Sequence, residues 1–365
     1  MLNRLDDYPI HQTSEPVAHT LTGDRNAYDR YWFNGFTREA DLYFGVALGV
    51  YPNRRVMDAA VSVSRGGLQY VVRGSRLAPA ERTDTRAGPI SVEVLEPMRA
   101  LRLTIAPNEH GLEGELVFRA RTEALEEPRF TLRQGGRVWM DSTRFTQFGT
   151  WEGWLAVGAE RIKLDASHVL GTRDRSWGVR PVGEREAGGA PGPLPQFYWL
   201  WAPIHFDDLC THFQVNEDAS GHALASHAAR VPLLASGEPI EDMAGLHRLV
   251  QWEKGTRRAR SAVLTLVPRA GEPERLQLEP LLTFQMRGIG YGDPEWSHGM
   301  WKGEDVTSGA MFRPSELDPM EPWNLHVQQL CRVRMGARTG YGTFEQLVIG
   351  PHAPSGFQSI LDPAE

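Results

Sequence analysis

Two stretches of the chain gather side chains able to move a proton or hold a reactive ligand. The first is Gly171-Thr172-Arg173-Asp174-Arg175-Ser176-Trp177-Gly178. Alternate residues of a strand share a face, so counting by twos from Ile162 groups 164, 166, 168, 170, 172 and 174 if the strand is unbroken. Asp174 then points into an apolar interior, while Arg173 and Arg175 point the other way. A carboxyl group in an apolar pocket has a raised pKa and can donate a proton near neutral pH. The competing reading is an aspartate held by an arginine or capping a turn, with a bulge at Gly171 upsetting the count.

The second stretch runs from Arg287 to Trp301. Between Tyr291 and Trp301 it packs a phenol, two carboxylates (Asp293, Glu295), the His298 imidazole and the Trp296 and Trp301 indoles into eleven residues. Its glycines let the backbone turn tightly, and loops at barrel mouths are where binding groups collect. The alternative is an amphipathic loop folded over its own aromatics.

Common catalytic signatures are absent: there is no G-x-S-x-G elbow, P-loop, H-E-x-x-H or C-x-x-C. Gly288-Ile289-Gly290-Tyr291-Gly292 has the look of a dinucleotide fingerprint. It follows an antiparallel-style strand and runs into Asp293-Pro294, where no helix can begin as pyrophosphate binding requires. His205, His212, His222 and His227 are scattered by strand alternation, with no carboxylate at a ligand-like spacing, so surface or satisfied histidines are expected. Neither a metal nor another cofactor is expected.

The elements that must carry these groups are strands. The 37 glycines and 25 prolines are evenly spread and leave little room for long helices. Ala59, Val61 and Val63 alternate with small or polar residues before Gly66-Gly67 turns the chain into Leu68–Val72, a hairpin signal. The alternation recurs at Ile90–Val94, Leu101–Ile105 and Leu112–Ala120. In the second half it recurs at Trp199–Ile204, Cys210–Val215, Leu246–Trp252, Ala262–Val267, Leu276–Met286, Leu325–Val333 and Gly342–Ile349. Many short strands with closely spaced turns predict an all-β chain of antiparallel barrels or sandwiches. Short helices are expected only near Asp24–Tyr31 and Ile240–Leu246. The glycine- and proline-rich run 183–195 suits a linker, dividing the chain into 1–182 and 196–365.

Composition narrows the partners. The 365 residues exceed one ordinary core, and the net charge of −7 with no long basic run argues against nucleic acid. Cys210 and Cys331 sit in apolar runs and read as buried, inert thiols. No window is apolar enough to span a bilayer and the N-terminus has no leader-like stretch, so a cytoplasmic location is expected. Eleven tryptophans, grouped near Tyr31-Trp32-Phe33, Trp151/Trp154, Trp199/Trp201 and Trp296/Trp301, suit an apolar cavity floored by indole rings, or ordinary packing. Oligomeric state is open.

Asp174-Arg175-Ser176-Trp177-Gly178 resembles the D-x-x-W-G signature of the carotenoid 1,2-hydratase (hydroxyneurosporene synthase)/AttH-like superfamily. Trp32-Phe33-Asn34, Leu48–Asn53, Gly290–Trp301 and Leu347–Phe357 look like an uncharacterised bacterial branch of it. The resemblance implies two tandem calycin (lipocalin-like) barrels and an enzyme acting on a hydrophobic isoprenoid, terpenoid or steroid-like, by protonating a carbon–carbon double bond. Hydration or dehydration, isomerisation and cyclisation all fit. It assigns the proton donor to Asp174 and leaves Tyr291, Glu295 or His298 to position water or take up the second proton. Trp177, Trp296 and Trp301 would face a carbocation, with Gln147, Arg173 and Arg175 as further substrate contacts. Thr172 stands where the family carries an aromatic residue and Arg175 where some members have histidine, which bears on the reaction more than on the fold. A non-catalytic carrier of an apolar ligand and a pericyclase remain as alternatives.

Overall fold

The structure is a computed structural model and describes residues 2–184, 186 and 194–365. Most of the proposed linker 183–195 therefore lies outside the described residues. No α-helix occurs among the described residues; the six helical pieces are single 3-10 turns. The helix expected at 24–31 is instead the start of a strand, and 240–246 holds two strands. In the first stretch Tyr28 and Tyr31 fall on opposite faces of the strand, and each finds a sheet face to cover.

The first sheet opens with four consecutive hairpin strands, β1 (Ala27–Thr37), β2 (Leu42–Tyr51), β3 (Val56–Arg65) and β4 (Leu68–Leu77). A meander follows: β5 (Arg86–Ala87), β6 (Ile90–Glu96), β7 (Ala100–Ile105) and β8 (Leu112–Ala120). Then come β9 (Leu125–Gln134), the 21-residue β10 (Arg137–Val157), β11 (Glu160–Leu164) and β12 (Val169–Val179). β12 lies between β1 and β10 and joins the hairpin half to the meander half. The sheet coils until its far edge meets its beginning: a Cβ on Gly74 would lie 2.3 Å from the Ala87 carbonyl oxygen.

The second sheet comprises β13 (Phe197–Trp201), β14 (Ile204–His205), β15 (Leu209–Glu217), β16 (Ala223–Pro232), β17 (Glu241–Asp242), β18 (Gly245–Trp252), β19 (Ala259–Val267) and β20 (Glu274–Gln285). After β20 the chain crosses back, and β21 (Asp305–Phe312) pairs with β4 at the edge of the first sheet. β22 (Val327–Met335) and β23 (Arg338–Ile349) return to the second. The chain is thus a pair of calycin-like antiparallel barrels, with the second half of the chain contributing one strand to the first sheet. Cys210 and Cys331 are buried and free, as their apolar surroundings suggest.

Each barrel has its own core, and a third core lies between them. Phe44, Val46, Leu48 and Val50 of β2 point into the first barrel. Tyr43 and Ala47, on the opposite face, pack with Trp32, Phe36, Phe284 and Leu330 between the barrels. Every residue of β2 is therefore buried, whereas an antiparallel strand with one wet face alternates. Gly45 leaves the space for this contact: a Cβ there would sit 2.8 Å from Trp32 Cη2 and 3.1 Å from the Phe284 ring.

Candidate active site

The strand trio β1–β12–β10 turns its even-numbered side chains toward the second barrel. Tyr28, Arg30 and Trp32 come from β1, Asp174 and Ser176 from β12, and Met140, Ser142 and Arg144 from β10. Register aligns them: Ser176 is opposite both Arg30 and Arg144, and Asp174 is opposite Trp32 and Thr146. Phe197, Trp199 and Trp201 of β13, Gln214 of β15 and Glu345 and Leu347 of β23 face them from the second barrel. Glu127 and Phe130 of β9, with His326 and Tyr291, complete the wall. The cavity encloses about 910 Å³ of empty space, its open mouth included.

Asp174 does share a face with Thr172 and lie opposite Arg173, but that face is the space between the barrels. The first barrel's interior receives Arg173 instead. The count from Ile162 fails because the chain turns at 165–168, where the Val169 amide donates to the Asp165 carbonyl, so the strand is broken before β12 begins. Gly171 is not a bulge; β12 runs in unbroken register with β10 through it.

Asp174 is 9% exposed, and its Oδ1 is sealed from solvent without a hydrogen-bond partner. It forms no ion pair among the described residues. Burial pushes its carboxyl group up from 3.8 to about 6; the Arg144 and Arg30 charges oppose the rise and the Glu127 and Glu345 carboxylates add to it. Three of these neighbouring charges are satisfied elsewhere. Arg144 is paired with Glu127 and with Gln214, and its guanidinium lies 4.7 Å from the Trp199 ring centre. Glu127 also accepts from Thr146 Oγ1 at 2.6 Å. Its carboxyl group stays below the usual range because Arg144 and His212 outweigh its burial. Glu345 accepts from Trp199 Nε1 and bonds His326 Nε2, each at 3.0 Å, and takes a third bond from Gln328.

The other sequence candidates divide. Tyr291 lines the same cavity, its ring 6.1 Å from Trp32 and 4.7 Å from His326, and burial raises its phenol to about 12. His298 stacks edge-on to Tyr291 at 4.8 Å but belongs to a separate small cavity with Trp296. There its Nδ1 lies 3.4 Å from Asp58 Oδ1, and burial lowers its pKa to about 4. Gly290 permits this packing: its φ is +99°, and a Cβ would sit 2.2 Å from the His298 ring. Trp296 lies 5.0 Å from the Arg73 guanidinium. Glu295 is exposed and lines neither cavity, Trp177 is 42% exposed, and Trp301 is 49% exposed.

Gln147, Arg173 and Arg175 also stand away from the cavity. Gln147 is fully buried, donates to the Met98 and Thr122 carbonyls and accepts from Arg173 Nε at 2.8 Å. Arg175 pairs with Asp29 and lies 4.0 Å from the Tyr31 ring centre. The charged groups that reasoning from the sequence missed are Arg30, Glu127, Arg144 and Glu345. Their signal was faint: each lies inside a run of strand residues, and neither spacing nor a motif sets it apart. Trp32, Trp199 and Trp201 were visible as grouped indoles and do line the cavity.

Among the described residues no group of three or more His, Cys, Asp or Glu could hold a metal ion. No helix is long and apolar enough to cross a membrane. A family of unknown function, DUF8625, matches residues 2–358. No curated protein matches the chain. Among solved structures, an AttH-like protein from Nitrosomonas europaea aligns at 13% identity and a TM-score of 0.56, over 88% of this chain and 92% of that one. Kievitone hydratase from Nectria haematococca aligns at 15% identity and a TM-score of 0.49, over 87% of this chain and 88% of that one. CghA aligns at 10% and 0.49, over 89% and 88%. At these identities the likeness is one of fold, and the AttH-like fold is the part of the resemblance it supports.

Proposed function

The chain belongs to the DUF8625 family of unknown function, and we propose that it is an enzyme that protonates a carbon–carbon double bond of a largely apolar, isoprenoid-like substrate held between its two barrels. The observation that carries this reading is the state of Asp174: buried at the cavity wall, its Oδ1 without a partner, and locked to no arginine. A carboxyl group there holds its proton up to about pH 6 and can act as a general acid.

In the proposed step Asp174 gives its proton to one alkene carbon, and positive charge develops on the other. The Trp32, Trp199 and Trp201 indoles and the ionised Glu127 and Glu345 carboxylates surround that charge. Water then adds to the cation and returns a proton to Asp174, which gives hydration. Loss of a neighbouring C–H proton instead gives isomerisation. Tyr291 is placed to orient the water. Glu295 has no part in this reading, and His298 acts only through the ring of Tyr291. Kievitone hydratase, by its name, performs a hydration; the proposal for this chain rests on the Asp174 site.

The test is carried out in heavy water with a panel of terpenoid and steroid alkenes, with products read by mass spectrometry. Acid chemistry at carbon incorporates deuterium, and Asp174→Asn abolishes the incorporation. A bound alkene recovered unlabelled, or rearranged without label, would favour the carrier or the pericyclase and sink the proposal.

A further inference from the structure

Arg30 projects from β1 into the same cavity and is paired with none of the carboxyl groups there. It is 4% exposed, and its Nε and Nη1 are sealed from solvent without a hydrogen-bond partner. It forms no ion pair among the described residues, whereas Arg144 pairs with Glu127; Arg180, the third guanidinium at the cavity, has one sealed nitrogen without a partner, its Nε, where Arg30 has two. Glu345 is committed to Trp199, His326 and Gln328. The Tyr291 and Tyr28 rings lie 5.0 and 5.9 Å from the guanidinium carbon. Ring faces attract the charge but accept none of the in-plane N–H bonds. An unpaired buried guanidinium is costly to fold around, and its planar fork of donors matches an oxyanion.

We propose that Arg30 anchors a substrate oxyanion, a carboxylate or an enolate, so that the molecule taken up is an amphipathic acid rather than a hydrocarbon. Its apolar body then lies along Trp32, Trp199, Trp201, Met140 and Phe130, which share the cavity with Arg30. This rests on the cavity being the substrate site proposed above, but not on Asp174 being an acid.

Two fluorescent probes that differ only by a sulfonate separate the possibilities: 8-anilinonaphthalene-1-sulfonate and N-phenyl-1-naphthylamine. The wild-type protein is expected to bind the sulfonate at least about tenfold more tightly, the margin of one charge-assisted hydrogen bond. Arg30→Met should erase that preference and leave the neutral probe's affinity unchanged. Arg30→Lys should retain part of it. Arg30→Met should melt no lower than wild type, because it removes an unpaired buried charge. Equal binding of the two probes, a preference that survives Arg30→Met, or a marked loss of thermal stability in Arg30→Met would each overturn the anchor. Loss of the deuterium result with the sulfonate preference intact would remove the acid mechanism and leave the anchor standing.

Discussion

Asp174→Asn turns the buried carboxyl group into a measurement that needs no substrate. The folded chain holds the Asp174 proton at about 6 against an ordinary 3.8, more tightly than the unfolded chain does. The stability this contributes is complete below about 3.8, where both states are protonated, and is lost as pH rises through about 6. The gap corresponds to at most about 3 kcal/mol. Asparagine keeps the shape but cannot ionise, so the variant escapes the loss. The difference in unfolding free energy, variant minus wild type, should therefore climb by up to about 3 kcal/mol between pH 4 and pH 8. Urea unfolding followed by tryptophan emission at a series of pH values measures it, and other titrating groups cancel in the subtraction. Turnover, once a substrate is in hand, should fall about 10²–10⁴-fold in the variant and decline above about pH 6 in the wild type. A flat difference, or one that falls with pH, would mean that Arg30 or Arg144 stabilises the carboxylate, and the acid role would go with it. A destabilised variant that keeps its activity per folded molecule would have the same consequence.

Glu127→Gln should lower stability by about 1–3 kcal/mol, since it takes the counter-charge from the half-buried Arg144. It should also move the Asp174 transition to lower pH, because one carboxylate that raises it is gone while Arg144 remains; the pH series repeated with and without Asp174→Asn on this background reads both. Gly171→Ala should cost about 1–3 kcal/mol by overpacking, as the new Cβ would lie 2.3 Å from Trp151 Nε1 and 2.4 Å from the Asn34 carbonyl oxygen; equal melting would refute that fit. Ligand binding should change indole emission, and Trp199→Phe should weaken the change while Trp301→Phe leaves it alone, since only Trp199 lines the cavity. The reverse pattern in emission titrations would move the ligand to the loop at 291–301.

The sequence by itself determined the strand class. Period-two alternation with turn residues between runs has one economical reading, and the Gly66-Gly67 hairpin lies where the residues put it. It also singled out Asp174, through strand alternation and the D-x-x-W-G resemblance, and the indole groups around Trp32 and Trp199. What it could not supply was which of two buried faces each residue takes. β2 is apolar on both faces, so alternation there cannot distinguish the barrel core from the contact between barrels. A four-residue turn before β12 reversed the parity on which the placement of Asp174 depended. The loop 287–301 read as one cluster of catalytic groups, yet it delivers Tyr291 to the cavity and sends His298 and Trp296 to another, because the chain turns between them at Gly292, where φ is +66°, and again at 294–296. Arg30, Glu127 and Arg144 come from β1, β9 and β10 of the first sheet, with Arg144 directly opposite Glu127, and Glu345 comes from β23 of the second. Their meeting depends on how two sheets are set face to face, and a local pattern carries no record of that.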